Sequence, residues 1–189
     1  MESTGIVEKL QEKFPDDVLD SYQHRSQDGV LIRREHILDV CTYLRDECSM
    51  NHLMCLTGVD NSKRKATAAP YSERFEVVYQ LYSIAEKQGI RLRAQVPEDD
   101  CLIESITSLW IGADWLEREC YDLMGIHFDG HPDLRRILTP DDWEGHPLRK
   151  EYPLRGDGKW TGYEELKAKS KELSRFDFYQ KDHEIGEHE

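Results

Sequence analysis

The sequence predicts an α+β fold with a small mixed or antiparallel sheet, flanking helices and an extended C-terminal segment. Residues 75–84 and 90–96 alternate apolar and polar side chains, as half-buried strands do. Residues 35–48 and 113–124 repeat apolar side chains at intervals of three and four, as amphipathic helices do. Beyond residue 130 a proline recurs every six to eight residues, which excludes a long helix there.

The first elements are a helix, a hairpin and a second helix. A short helix is predicted over 3–14, with Ser3 or Thr4 as its N-cap and Pro15 as its stop. Residues 17–33 predict a hairpin, because two strand-like runs flank a Gln-Asp-Gly turn. The apolar stripe of the helix over 35–48 consists of Ile37, Val40, Cys41 and Leu44.

Three strands are expected next. Residues 52–60 are apolar, and 61–72 form a polar loop. Residues 75–84 and 90–96 then alternate, and Pro97 ends the second of these strands. The order of helix, hairpin, helix, three strands and helix is typical of an α+β domain.

The helix over 113–124 is expected to anchor the segment that comes after it. Its apolar stripe consists of Leu116, Cys120, Leu123 and Met124. Gly125 stands where a left-handed C-terminal cap is usual. Arg118 and Asp122 are four residues apart, close enough to pair, and Glu117, Arg118 and Glu119 are interpreted as an ion-pair set. The predicted helix anchor is therefore Glu117, Arg118, Glu119, Asp122 and Gly125.

The chain is expected to divide into an α+β domain at 1–129, a docking segment at 130–160 and a polar tail at 161–189. We call residues 130–160 the ribbon. It contains a near-repeat, in which His131-Pro132-Asp133-Leu134-Arg135-Arg136 is echoed by His146-Pro147-Leu148-Arg149-Lys150. We call these two segments the first and second cassettes. The tail has a weak helical pattern at 162–173.

Composition and motifs argue against several classes of function. The formal net charge of −13 disfavours binding to nucleic acid or to an anionic membrane surface. No apolar run is long enough to span a bilayer, and the N-terminus has no secretory signal pattern. The five cysteines form no C-x-x-C pair, and nucleotide-binding glycine motifs and a G-x-S-x-G are absent from the sequence.

A metal site in the ribbon is conceivable but weakly supported. His127, His131 and His146 lie near several aspartates, yet no spacing fixes their geometry. Each His-Pro pair is better interpreted as part of a turn. A stand-alone metalloprotein using His131 and His146 remains an alternative.

The ribbon is better interpreted as a surface that recognises another protein, because arginine, tryptophan and tyrosine are enriched at interface cores. A second interpretation is that the ribbon wraps around the chain's own α+β domain. Both interpretations hold if one edge of the ribbon contacts this domain and the other edge contacts a partner. The predicted partner-binding residues are His131, Leu134, Arg135, Arg136, Trp143, His146, Leu148, Arg149, Lys150 and Tyr152.

These residues carry a family resemblance. The run ERECYDLMGIHFDGHPDLRRILTPDDWEGHPLRKEYPL over 117–154 resembles the 30-kDa subunit family of respiratory complex I, which in bacteria is the C subunit of NADH-quinone oxidoreductase. Ser105-Ile106-Thr107, Trp110 and Ala113-Asp114-Trp115 also fit, although the family usually has asparagine where Asp114 stands. The resemblance covers nearly the whole chain and is strongest over 105–155.

The resemblance implies a non-catalytic peripheral-arm subunit that binds no cofactor. Flavin, iron–sulfur clusters and quinone would be held by partner subunits of this proton-translocating enzyme. The ribbon would extend over the 49-kDa-type quinone-site subunit, on the cytoplasmic side of the bacterial inner membrane. The alternative is the equivalent subunit of a related membrane-bound hydrogenase or of a ferredoxin-type quinone oxidoreductase.

Overall fold

The computed structural model describes residues 4–63, 72–154 and 162–173. The chain forms two compact units, 1–156 and 157–189. The described part of the second unit is a helix, Tyr163–Leu173, which agrees with the weak helical pattern in the tail. The predicted division at residues 129/130 and 160/161 stays a prediction.

The first unit begins with helix α1 (Thr4–Lys13) and the hairpin β1 (Val18–His24) and β2 (Gln27–Ile32). A 3₁₀ turn (Arg34–His36) leads into α2 (Ile37–Asp46). The remaining elements are β3 (His52–Asp60), β4 (Phe75–Ser83), β5 (Gln88–Val96), β6 (Leu102–Glu104), α3 (Ala113–Met124) and β7 (His127–Asp129), and the tail helix is α4. The predicted helices, hairpin and three long strands are confirmed, with ends that shift by at most three residues. The predicted turn of the hairpin is wrong, because residues 27–29 begin β2 and the turn is formed by Arg25 and Ser26, both with positive φ.

The main sheet has five strands in the order β1-β2-β5-β4-β3. β2 and β5 are parallel, and the other three pairs are antiparallel, so the sheet is mixed. Of the predicted polar loop 61–72, residues 64–71 lie outside the described ranges. A second, parallel pair, β6 with β7, was not predicted from the sequence.

The core lies between one face of the main sheet and the helices. On β4 the side chains of Phe75, Val77, Tyr79 and Leu81 are buried, as their alternation predicts. Helix α3 packs against β3, where Gly58 allows close approach. A Cβ atom at residue 58 would lie 2.8 Å from Cys120 Sγ and 3.0 Å from Met124 Cγ. A glycine is therefore needed to seat α3 on the sheet.

No helix in the described segments is long and apolar enough to cross a bilayer.

Candidate functional site

The described part of the ribbon, residues 130–154, contains no helix or strand and lies along α3. Its course is fixed by hydrogen bonds to that helix. Successive parts of the ribbon contact the first turn of α3, its last turn and its C-terminal carbonyls.

The first cassette starts at the N-terminal turn of α3. The side chain of His131 is fully buried, and its Nε2 lies 3.1 Å from Asp114 Oδ1. Its Nδ1 accepts the backbone N–H of Asp133 at 3.0 Å, so Nε2 carries the proton. Farther along, Arg118 Nε donates to the carbonyl of Arg135 at 3.3 Å, and the Arg118 guanidinium lies over the ring of Trp115.

Asp122 is the main anchor of the ribbon. Its buried Oδ2 accepts three successive backbone N–H groups, from Ile137 at 3.0 Å, Leu138 at 2.7 Å and Thr139 at 2.8 Å. Its Oδ1 accepts Arg136 Nη1 at 2.7 Å and the Thr139 hydroxyl. Burial alone would raise the pKa of Asp122, but these donors outweigh it and hold the pKa well below its usual range.

Arg136 links the helix to the next turn of the ribbon. While Nη1 binds Asp122, Nη2 donates to the carbonyls of Trp143 and Gly145, each at 3.0 Å. One guanidinium therefore joins the carboxylate to both ends of a short ribbon turn. Fixed donors in a planar fork make arginine, rather than lysine, suited to this task.

The second cassette binds the carbonyls at the C-terminal end of α3, which have no partner within the helix. His146 Nδ1 donates to the carbonyl of Asp122 at 2.9 Å, and the N–H of Leu148 donates to that of Leu123 at 3.0 Å. Arg149 Nε donates to the carbonyl of Met124 at 2.7 Å. A cation at this end of a helix also interacts favourably with the helix dipole.

The electrostatics favour a neutral His146. Burial lowers its pKa, the bond to the Asp122 carbonyl raises it, and the nearby Arg149 and Arg136 lower it further. The net shift is downward, so the imidazole stays uncharged with its proton on Nδ1.

The end of the second cassette is tied to the sheet. The backbone N–H of Lys150 donates to Asp60 Oδ2 at 2.8 Å, and Arg74 binds both Asp60 and Glu151. Burial works to raise the pKa of Asp60, but the donors, chiefly Arg74, hold it well below its usual range. The guanidinium groups of Arg74 and Arg149 both lie against the ring of Phe75, at 4.7 and 5.0 Å.

Glu117 points into the core instead of taking part in an ion-pair set. It is fully buried, and it accepts the Ser105 hydroxyl at 2.7 Å and the Ile106 N–H at 2.8 Å. Burial raises its pKa to about 7, against the lowering effect of those two bonds. The predicted set of Glu117, Arg118 and Glu119 is therefore wrong.

The predicted Arg118–Asp122 pair is also wrong. Arg118 donates hydrogen bonds to ribbon carbonyls, and the Asp122 carboxylate accepts hydrogen bonds from donors of the ribbon. The predicted cap at Gly125 is confirmed, since this residue is left-handed with a φ of 74°.

The structure separates the predicted partner-binding residues into three groups by their exposure and contacts. His131, Arg136, His146 and Arg149 make their described contacts within the chain, and Leu134 packs on the core. Trp143 and Tyr152 are half-buried. Arg135, Leu148 and Lys150 are exposed, Arg135 with 67% of its side chain. A role in partner binding stays a prediction for all of them.

Sequence reasoning missed exposed apolar side chains beside this site. They are Ile111, Trp115, Leu138 and Leu154. A helical wheel of 113–124 would have found Trp115, because it lies off the apolar stripe. No pattern in the sequence marks the other three.

The structure does not bring His131 and His146 together. They contact Asp114 and Asp122, which are about 12 Å apart along α3 at the usual helix rise. Within the described ranges, no three His, Cys, Asp or Glu side chains are grouped so that they could hold a metal ion. The proposed pair of histidine ligands is therefore not supported.

Replacement of Gly125 by alanine should loosen the second cassette. A Cβ atom here would lie 2.5 Å from both Arg149 Nη2 and His146 Nε2, at a φ that disfavours alanine. We expect the free energy of unfolding in urea to fall by about 2–4 kcal/mol. Gly130→Ala is the matched control, since its φ of 77° is similar but no atom lies within 4 Å. Equal losses in the two variants would show that the cassette contacts contribute nothing.

Comparison with known families gives one match. The family described as "Respiratory-chain NADH dehydrogenase, 30 Kd subunit" matches residues 30–158. Two similar relatives are each named as the C subunit of NADH-quinone oxidoreductase. The protein from Geobacter sulfurreducens is 46% identical over 155 residues, covering 82% of this chain and 92% of the relative. That from Trichlorobacter lovleyi is 48% identical over 158 residues, covering 84% and 94%.

Two solved structures are similar. A trypsin-resistant fragment of Nqo5 (1–134) is 30% identical with a TM-score of 0.60, covering 68% of this chain and 96% of the fragment. A chain of an archaeal membrane-bound sulfane sulfur reductase is 20% identical with a TM-score of 0.63, covering 94% and 95%. At that identity the second likeness shows the fold alone.

Proposed function

The chain belongs to the 30-kDa subunit family of the respiratory-chain NADH dehydrogenase, and from this premise we propose that it acts by docking, with the ribbon as its docking element. It is a subunit of NADH-quinone oxidoreductase, the complex I enzyme. Its specific partner is the 49-kDa-type subunit that lines the quinone site. This chain stabilises the assembly and takes no part in electron transfer.

The observation that carries the proposal is that the ribbon has two sides. One side is fastened to α3 and the sheet through Asp122, Arg136, Arg149 and Asp60. The other side presents Arg135, Leu148 and Lys150 to solvent. A ribbon that is already fixed loses little conformational freedom on binding, so more of the contact energy appears as affinity.

A cofactor-free role is supported by how the candidate ligands are used. The imidazoles of His131 and His146 bind the helix, and the thiols of Cys41 and Cys120 are buried, which raises their pKa values. Such thiols are poor metal ligands, because ligation requires the thiolate. Stoichiometric flavin, iron or zinc in the purified chain would contradict this part of the proposal.

The complex is membrane-bound, and we propose that this chain lies on the cytoplasmic side of the inner membrane. Protease added to sealed vesicles of known orientation should cut the chain only where the cytoplasmic face is outside. The related-hydrogenase alternative is not favoured, because the relatives of high identity are named NADH-quinone oxidoreductase.

The outward side chains provide the test. We expect the double variant Arg135→Ala/Leu148→Ala to lower the amount of chain recovered with the purified complex about tenfold, the effect of losing about 1.4 kcal/mol of binding. The free energy of unfolding of the isolated double variant should differ from that of the wild type by less than about 1 kcal/mol, because both side chains are exposed. Quantitative mass spectrometry of the purified complex measures the recovery.

Arg45→Ala is the control, since Arg45 lies on α2 and, within the described ranges, forms an ion pair only with its neighbour Asp46. Undiminished recovery of the double variant would contradict docking through the ribbon. Arg149→Ala is unsuitable as a test of partner binding, because Arg149 holds the ribbon to Met124 of the same chain.

A further inference from the structure

The main sheet has a second face that none of the helices α1, α2 and α3 of the first unit covers. Strand pairing places Cys55, Gln80 and Arg91 in one row across this face, and Thr57, Val78 and Arg93 in the next. These side chains are half-buried or exposed, whereas the opposite face carries the buried core. The face is not part of the surface formed by the ribbon.

A groove of about 830 Å³ opens at one end of this face. It lies beside the β1–β2 and β4–β5 turns, and Gln23, Gln27, Gln80 and Gln88 line it together with Tyr82 and Met54. We call it the glutamine groove. The ribbon contacts the other end of β4, at Phe75, about 23 Å away at the usual rise of a strand.

Arg91 is held in the groove by two uncharged amide groups. Its Nε donates to Gln80 Oε1 and its Nη2 to Gln27 Oε1, both at 3.2 Å. These amide oxygens orient the guanidinium but carry no charge to neutralise it. By contrast, Arg93 on the same strand is paired with Glu76. In the described ranges no carboxylate forms an ion pair with Arg91.

The charges of the lining fit one carboxylate and not a polyanion. Arg91 and Lys87 are cationic and Glu86 is anionic, so the lining has a net charge of +1. Nucleic acid would be repelled by the whole chain, which carries −13. A guanidinium oriented by two amides is suited to bind one carboxylate through two parallel hydrogen bonds.

The uncharged part of the lining fits a polypeptide. Glutamine carboxamides both donate and accept hydrogen bonds, so they match the N–H and C=O groups of an extended backbone. Tyr82 and the exposed Met54 add apolar surface for a neighbouring side chain. Together these features describe a short extended segment that contains one acidic residue.

We propose that the glutamine groove is a second docking surface, which binds an extended segment of another subunit through an Asp or Glu side chain on Arg91. This inference rests on membership in a multi-subunit enzyme but not on docking by the ribbon. The two surfaces lie at opposite ends of β4, so either can fail without the other.

Lys87 makes the proposal testable in the intact complex. A carbodiimide joins an amine to a carboxylate that it touches, with no added spacer. In the purified complex we expect a cross-linked peptide that joins Lys87 to an Asp or Glu of another subunit. Lys87 should also react at least tenfold more slowly with an amine-acetylating reagent than Lys13, an exposed lysine of α1 in the same complex.

Variants at residue 91 separate this contact from general effects. Arg91→Glu should reduce the Lys87 cross-link at least tenfold, and Arg91→Lys, which keeps the charge, should retain part of it. Arg45→Glu, on α2, should leave it unchanged. Three results would overturn the proposal. They are a Lys87 as reactive as Lys13, a cross-link insensitive to Arg91→Glu, and a cross-link to residues 155–189 or to a second copy of this chain.

Discussion

Asp122→Ala should lower the free energy of unfolding by about 3–5 kcal/mol and release the ribbon. The carboxylate accepts three backbone N–H groups and the side chains of Arg136 and Thr139 in a buried position. Its removal takes the acceptor from the three backbone N–H groups and the Thr139 hydroxyl and the counter-charge from Arg136. Breaking a buried pair in this way costs several kcal/mol. This is the largest effect that we expect from one substitution in the ribbon site.

Two measurements check this result. Urea unfolding gives the loss of stability, and limited trypsin digestion reports the release, since cleavage after Arg136 or Arg149 requires an open ribbon. We expect cleavage there to be at least tenfold faster than in the wild type. Glu119→Ala is the control, because Glu119 is an exposed carboxylate on the same helix. If trypsin cuts the two variants equally fast, Asp122 does not anchor the ribbon.

The anchor is also expected to fail at acid pH. The folded-state pKa of Asp122 lies well below the ordinary value of about 4. Its contribution to stability is therefore complete above that value and is lost as the pH falls toward the folded pKa.

Glu117→Gln should change how the free energy of unfolding depends on pH. Asp122 loses its stabilising effect as the pH falls, whereas Glu117 loses its stabilising effect as the pH rises. The pKa of the folded state is about 7, above the ordinary value for glutamate, so the folded wild type holds a proton that the unfolded chain has released. This contribution is present at low pH and is lost as the pH rises through 7. Glutamine is uncharged throughout. Hence the stability of Glu117→Gln relative to the wild type should rise by about 2 kcal/mol between pH 5.5 and pH 8.

The measurement is urea unfolding of both proteins at several pH values over that range. Taking the difference between the two proteins cancels the titration of other groups. Glu117→Ala should show the same rise relative to the wild type, because alanine does not titrate either. Its free energy of unfolding should lie about 3 kcal/mol below that of Glu117→Gln at every pH, because Ser105 and Ile106 lose their acceptor and a cavity opens. A flat difference for Glu117→Gln would mean that Glu117 does not titrate near neutrality.

The sequence predicted the fold well where periodicity is long. The alternation at 75–84 and the cap at Gly125 match the structure. Of the stripe predicted for 113–124, Cys120 and Met124 are buried, whereas Leu116 and Leu123 are half-buried. The β6–β7 pair was missed because each strand has three residues and the pairing joins Leu102 to His127, which no local pattern records. Strand pairing at that separation is decided by packing instead of by propensity.

The ribbon site was harder to predict because its main donors are backbone groups. No residue type at 137–139 indicates that three successive N–H groups converge on Asp122. Glu117 was misjudged for a related reason. A glutamate followed by Arg118 and Glu119 suggests an exposed ion pair, whereas the groups that it binds, a hydroxyl and a backbone N–H, come from residues 105 and 106.

The near-repeat indicates that each cassette has cations, but not which of them contacts the helix. The near-repeat is displaced by one residue, so the first cassette binds its helix through Arg136, five positions after its histidine. The second binds through Arg149, three positions after its histidine. Arg135 and Lys150, each four positions on, are exposed. Each cassette therefore turns one cation toward the helix and leaves another exposed, and the similarity of the two segments does not show which cation is which.

The contacts of the two cassettes also imply an order during synthesis of the chain. Arg136 in the first cassette and Thr139 just after it reach back 14 and 17 residues to Asp122, whereas Lys150 reaches back 90 residues to Asp60. Because a chain grows from its N-terminus at about 5–20 residues per second, the first cassette can close on α3 before the second has been made. The second cassette is among the last parts of the first unit to be synthesised, and it then completes the exposed side of the ribbon. A nascent chain therefore cannot present the proposed docking surface until the sheet that supports it has been translated.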